Sequence, residues 1–330
     1  MRARPSISRR RRSNGAATLV GVALLAASCA GGTAADAPVG TAPVAPATSA
    51  VAVACGTTRT VAYASPPGSD PNLTSLDVST PPAGPDGCTG RPLVVWVHGG
   101  GWTSGDKTEH VADKVALFNG AGYVFASINY RLTDKTAVPT APRYPVHDQD
   151  AADAIAWLVG HAAEIGVDPA RVAVLGHSAG GGIVSAISTD PTYLGAGGLG
   201  LDAITCAASM DGEGYDIVAG ATTSPVEVQT GYRNAFGDDP AVWAQASPVE
   251  HVAASAGIPD FFVAARGTDW RLEQHLRFID ALRGAGVPTV VLDSRTLEHA
   301  DLATDIGAPG DTVVTPPLMD FLAGCFAEQP

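Results

Sequence analysis

The stretch Val172-Ala173-Val174-Leu175-Gly176-His177-Ser178-Ala179-Gly180-Gly181 decides how the rest of the chain is read. A short apolar run stops abruptly at Gly-x-Ser-x-Gly, and small residues follow (Gly182, Ile183, Val184, Ser185, Ala186). The run predicts a buried strand and the small residues a closely packed helix. A serine at so sharp a strand-to-helix turn needs small neighbours on both sides, because the backbone there is strained and crowded. Gly176 and Gly180 supply them, and the turn lifts the Ser178 hydroxyl clear of the sheet edge. A pentapeptide of this kind also occurs as a plain glycine turn, so its weight depends on its surroundings.

Working outward, residues 92–97 form a second continuous apolar run, the mark of a strand buried on both faces. It ends in His98-Gly99-Gly100-Gly101-Trp102. Three consecutive glycines leave backbone N–H groups unshielded and able to approach a ligand closely. Acyl transfer needs such donors where a carbonyl oxygen becomes an oxyanion. Further strands are predicted at 123–129, 203–209, 261–265 and 289–292, with helices at 108–119, 148–165, from Ser178 onward, at 272–283 and at 317–326. Residues 57–63 and 73–78 read as a first hairpin. Strand and helix alternate without internal repeats. The predicted fold class is α/β, a mostly parallel sheet with helices on both faces in one large domain over residues 51–330. Residues 212–251 break the alternation and predict a loop or small cap over one end of the sheet. Open α/β sheets bind ligands at the carboxyl ends of their strands, so this insertion is expected to contact substrate.

The first 29 residues read separately. Arg2, Arg4 and Arg9 to Arg12 form a basic start without an acid, and an apolar run of signal-peptide length follows. Leu24-Leu25-Ala26-Ala27-Ser28-Cys29 resembles the lipobox of bacterial lipoproteins, which implies Cys29 as a lipidation site. Residues 30–50, rich in Gly, Ala, Pro and Thr, predict a flexible tether. Removing the leader takes 6 of the 20 basic residues and none of the 33 acidic ones. That leaves 14 against 33, a formal charge of −19. So acidic a surface excludes nucleic acid as a partner and limits membrane contact to a lipid anchor. Four cysteines remain, Cys55, Cys88, Cys206 and Cys325, and in an oxidising compartment they suggest two disulfides. Of three connectivities, Cys55 with Cys88 and Cys206 with Cys325 is favoured. None falls in a zinc-binding spacing, so no metal is expected.

Two glycine-rich turns ending two buried strands, in this order, resemble the α/β-hydrolase fold, and within it the hormone-sensitive-lipase-like and bacterial carboxylesterase branch. Asn129-Tyr130-Arg131, Asp148 and Gly166-Val167-Asp168-Pro169-Ala170-Arg171 add to the likeness, which spans residues 57–326. The resemblance implies Ser178 as nucleophile and the N–H groups of Gly100, Gly101 and Ala179 as oxyanion hole. In this fold the order is serine, acid, histidine. His299, in Leu297-Glu298-His299-Ala300, fits the base, with His275 on a helix face as its competitor. Asp269 is the first choice of acid, although its loop is one residue shorter than usual, and Asp211 is the alternative. Trp102 and His177 are expected in the substrate pocket. His177 adjoins Ser178 on a tight turn, where it points away from the base position.

Gly195-Ala196-Gly197-Gly198-Leu199-Gly200 matches a dinucleotide fingerprint but lacks the strand-turn-helix context, and reads as a loop. No cofactor is implied. The expected activity is cleavage of small carboxylic esters, most of all short acyl chains, through an acyl-enzyme. An amidase or arylformamidase on the same fold is the nearest alternative, and a non-catalytic binding lipoprotein the alternative from another class.

Overall fold

The computed structural model describes residues 53–85, 87–267 and 269–327. The expected signal peptide, its Cys29 and the 30–50 tether lie outside them. Eight strands form one sheet in the order β1-β2-β4-β3-β5-β6-β7-β8. They are β1 (Thr58–Ala62), β2 (Ser75–Ser79), β3 (Arg91–Val97), β4 (Val124–Ile128), β5 (Val167–His177), β6 (Cys206–Met210), β7 (Asp260–Ala265) and β8 (Thr289–Asp293). β1–β2 and β2–β4 pair antiparallel, and every other pairing is parallel. All carboxyl ends from β3 to β8 therefore open on the same edge of the sheet.

The central strands are apolar on both faces because both faces are covered. Leu93, Val95, Val97, Val172 and Val174 pack under one helical layer, while Val94, Trp96, Ala173, Leu175 and Ala208 pack under the other. The first layer contains α2 (Val146–Gly160), α3 (Ala162–Ile165), α4 (Ala179–Thr189), α5 (Pro191–Ala196) and α10 (Asp269–Gly284). The second contains α1 (Ala112–Gly120), α11 (Asp301–Thr304) and α12 (Thr315–Ala327). The predicted helix over 148–165 is two helices, broken at His161. The alternation read in the sequence is the observed order of elements.

The 212–251 insertion is more regular than its composition suggests. It folds into α6 (Ile217–Thr222), α7 (Val226–Phe236), α8 (Pro240–Gln245) and α9 (Pro248–His251). Asp216 and Asp239 cap two of these helices, each accepting a hydrogen bond from a first-turn N–H. Helices of four to eleven residues are too short to display a stable period, which is why the pattern looked irregular. Tyr215, Tyr232, Phe236 and Trp243 are buried with the main core.

Away from the sheet, Arg131 grips the buried Asp150 of α2 through Nε and Nη2, at 2.8 and 2.6 Å. Cys55 is bonded to Cys88, and Cys206 at the start of β6 to Cys325 in α12. The bridges close segments with sequence separations of 33 and 119 residues. A cross-link restricts the unfolded chain more as its loop lengthens, by roughly 4 and 5 kcal/mol for loops of these sizes. Replacing both Cys206 and Cys325 by alanine is therefore expected to lower unfolding free energy by more than the Cys55/Cys88 pair replacement. Urea denaturation of the two double variants checks this ranking.

Candidate active site

Four strand ends build the site. β5 ends in the turn carrying Ser178, whose φ of 54° and ψ of −123° lie outside the ordinary regions for a non-glycine residue. The strain holds because the surroundings leave no alternative. A Cβ on Gly176 would sit 2.2 Å from the Gly180 carbonyl oxygen, and one on Gly180 would sit 2.3 Å from that of Val97. Ser178 N–H donates to the Met210 carbonyl at 3.2 Å, and the Ser178 carbonyl accepts from Glu213 N–H at 2.9 Å. The serine is thereby locked between β5 and the chain leaving β6.

The glycine loop after β3 forms a wall beside it. The Gly99 carbonyl accepts from His98 Nδ1 at 2.8 Å and from the Tyr130 hydroxyl at 3.3 Å. The Gly100 carbonyl accepts from Thr103 N–H, Ser104 N–H and the Ser104 hydroxyl. In a trans peptide the N–H points opposite to its carbonyl. Gly100 and Gly101 N–H are therefore directed away from these packed partners. Ala179 is the first residue of α4, so no preceding helical turn accepts its N–H. His98 is stacked on Tyr130 at 4.4 Å, and burial lowers its pKa. It shapes the loop as a neutral ring.

His299 follows β8 and lines the same cavity as Ser178, Gly99, Gly100 and Gly101, a space of about 360 Å³. His299 Nδ1 is hydrogen-bonded to the carboxylate of Asp211. Asp211, not Asp269, is thus the carboxylate that meets the histidine. The register explains it. His177 pairs with Met210 across β5 and β6, so Ser178 and Asp211 are successive exits from neighbouring strands. Asp269 instead opens α10 on the surface, where it flanks a shallow groove with Leu272, Glu273 and Leu276. Arg266 and Arg271, on either side of Asp269 in sequence, reach Asp211 instead.

Asp211 is fully buried and surrounded by cations. Arg271 Nε donates to Oδ1 at 2.8 Å, and Arg266 Nη1 lies 3.6 Å from Oδ2. Burial opposes ionisation of the carboxyl, but the His299 hydrogen bond and the charge of Arg271 outweigh it and hold its pKa below the usual value. His275 is buried behind, with Nε2 3.4 Å from Oδ1 of Asp211, and is too far inside to reach the cavity. His177 lines the cavity. Its Nε2 donates to the His299 carbonyl at 2.8 Å, and burial followed by the nearness of His299 pushes its pKa down to about 4. It stays neutral and fixes the His299 backbone.

Trp102 is not among the cavity-lining residues, contrary to expectation. It is buried edge-on against Tyr232 and Phe236 of α7, at 5.5 and 5.0 Å. Likewise no residue of the 212–251 insertion lines the cavity. The reason is the same: the insertion's aromatic residues turn inward to complete the core, and Trp102 pins them to the glycine loop. The far wall comes instead from Glu109, His110, Ala303 and Thr304. Beneath it Lys114 is buried, its ammonium 4.5 Å from the Trp96 ring and bonded to the carbonyls of His110 and Ala303. Burial lowers its pKa to about 8. Nothing in the local sequence marks these residues, which are assembled from three separate elements. Among the described residues no cluster of potential metal ligands is found.

Comparison with known proteins fits this geometry. A carbohydrate esterase from gut microbiota superposes with a TM-score of 0.66 at 20% identity, over 82% of this chain and 97% of that one. An esterase from Pyrobaculum calidifontis gives 0.63 at 18%, over 83% and 86%. The fold is the α/β-hydrolase fold. The BD-FAE family model matches residues 76–193 of this chain. Among curated relatives, the esterase LipI of Mycobacterium tuberculosis is 27% identical over 66% of this chain and 68% of its own length. The carboxylesterase NlhH of the same species is 42% identical over 28% of this chain, and the chain spans only 27% of that relative.

Removing a buried partner from a charge cluster costs about 3–5 kcal/mol, because the remaining charges lose their counterion. Asp211→Asn is expected to lower stability by about that much at neutral pH, whereas Asp269→Asn, at the surface, stays within about 0.5 kcal/mol. Because the folded pKa of Asp211 is depressed, its contribution is complete above the unfolded value near ~4 and vanishes as pH falls through the folded one. Urea titrations of wild type and both variants between neutral and strongly acidic pH check the sizes and the convergence.

Proposed function

We propose that this hydrolase cleaves carboxylic esters through an acyl-enzyme, with Ser178 as nucleophile, His299 as base and Asp211 as acid. The observation that carries the reading is the bond from His299 Nδ1 to Asp211 beside the strained Ser178 turn, in one cavity. Asp211 fixes the tautomer that leaves Nε2 unprotonated and free to accept a proton. Nε2 takes the Ser178 proton as Oγ attacks the ester carbonyl carbon. The carbonyl oxygen becomes an oxyanion, which accepts hydrogen bonds from Gly100, Gly101 and Ala179 N–H. Collapse expels the alcohol, which receives the proton from His299. Water, deprotonated by the same nitrogen, then releases the acid and restores Ser178.

A cavity of about 360 Å³ walled partly by His98, Glu109, His110 and Thr304 supports small esters with short acyl chains rather than long lipids. The basic start, the apolar run, the Cys29 motif and two disulfides support export and anchoring at the cell envelope. The test of activity is hydrolysis of p-nitrophenyl acetate, butyrate and octanoate beside an aryl formamide. Wild type is expected to prefer the two shorter esters over octanoate and over the formamide. Ser178→Ala should lose nearly all turnover, and Asp211→Asn should fall by about 10³–10⁴ while Asp269→Asn stays near wild type. Full activity of Ser178→Ala, or equal losses for the two aspartates, would overturn the assignment.

A further inference from the structure

Two cations touching the carboxylate that holds a base are an unusual arrangement, since each competes with the imidazolium for the same negative charge. Arg271 does so at closest range. Its Nε donates to Asp211 Oδ1, its Nη2 donates to the Asp211 backbone carbonyl at 3.0 Å, and that same Nη2 lies 3.4 Å from His299 Nδ1. The α10 helix thus holds side chain and backbone of Asp211 in one grip and sets a fixed positive charge beside His299. We propose that Arg271 is a positioning residue for the Asp211–His299 pair and that its fixed charge beside them sets the acid limb of the pH–rate profile. The proposal rests on the serine, histidine and Asp211 reading above.

The other charged and titratable groups around the pair come from several elements: Glu109 and His110 share the cavity with His299, and Asp301 accepts from Glu298 N–H at 2.7 Å. Arg266, from the turn after β7, is 3.6 Å from Asp211 Oδ2 and donates through Nε to the Leu297 carbonyl at 2.7 Å, two residues before His299. His275 of α10 faces the second Asp211 oxygen and is pushed down to about 4 by burial, so it adds no charge near neutrality. His177, from the β5 end, is neutral for the same reason. Two carboxylates oppose the cations from outside: Glu213, 3.6 Å from Arg271 Nη1, and the exposed Glu298, 3.3 Å from Arg266 Nη2.

The sign follows from the charges. Protonation of His299 puts a positive charge next to Arg271, so the arginine disfavours it. It also draws on Asp211, which would otherwise stabilise the imidazolium. Removing Arg271 therefore moves the acid limb of the rate profile to higher pH. A unit charge within about 4–6 Å typically shifts a titration by about one to three pH units. Neutralising Glu213 strengthens the effective charge of Arg271 and moves the limb the other way.

The experiment is the pH dependence of Ser178 labelling by a fluorophosphonate probe, followed on wild type, Arg271→Gln, Arg271→Lys and Glu213→Gln. Wild type is labelled with a single acid limb if the catalytic reading holds; no labelling at any pH removes that reading, and the proposal with it. With wild type labelled, Arg271→Gln is expected to raise the midpoint by about one unit or more. Arg271→Lys, which keeps the charge, should stay closer to wild type, and Glu213→Gln should lower the midpoint. A rate that falls in Arg271→Gln with the midpoint unmoved would make Arg271 merely structural and overturn the proposal while leaving the triad standing. Should Arg271→Gln fail to fold, Glu213→Gln decides alone: a downward shift supports the charge effect, and an unmoved or raised midpoint overturns it.

Discussion

The site depends on one constraint, the backbone of Ser178 held at positive φ between two strands that exit the sheet side by side. That geometry is possible only because the neighbouring residues are glycines and because the β6 exit accepts and donates hydrogen bonds to the serine's own peptide groups. The same β6 exit then presents Asp211, whose φ is also positive, at 44°. Strain of this kind costs about 1–3 kcal/mol per residue and persists only where the surroundings over-determine it. Two strained residues on adjacent strands therefore share one support: the buried parallel sheet beneath them.

Most of the fold was legible because it follows from period and burial. Continuous apolar runs such as 92–97 become central strands, and their glycine-rich ends become the site edge. The 212–251 insertion was less legible because its helices are short and its aromatics are spaced for inward packing, not for one exposed face. Trp102 illustrates the limit. A large aromatic beside an oxyanion loop reads naturally as a pocket wall, yet the same residue is the anchor for α7, and sequence does not distinguish the two uses. Both are apolar contacts, and only the direction of the side chain separates them.

The acid shows a different limit. Asp269 and Asp211 each follow a strand and each suits the serine, acid, histidine order. What separates them is register: His177 pairs with Met210, which sets Asp211 beside the Ser178 turn, while Asp269 is exposed at the start of α10. A signal was nevertheless present. The segment after β7 carries Arg266 and Arg271 within six residues, and two cations delivered to a buried strand end call for an anion there. Asp211, directly after the buried strand β6, is a carboxylate placed to meet them.

The electrostatics of the site follow from this substitution of place. An acid supplied from the turn after β7 would leave α10 free of the site. With the acid on β6, the space after β7 is filled by the arginines of α10 and its entry turn, so the carboxylate is paired on one side with His299 and on the other with fixed cations. Burial raises the cost of its charge, and the cations together with the histidine repay it. The carboxylate is thereby shared. Its orientation is firm, because side-chain and backbone oxygens are gripped by one guanidinium. Grip and charge come from the same side chain at Arg271, whereas Glu213, 3.6 Å from its Nη1, acts on the charge alone.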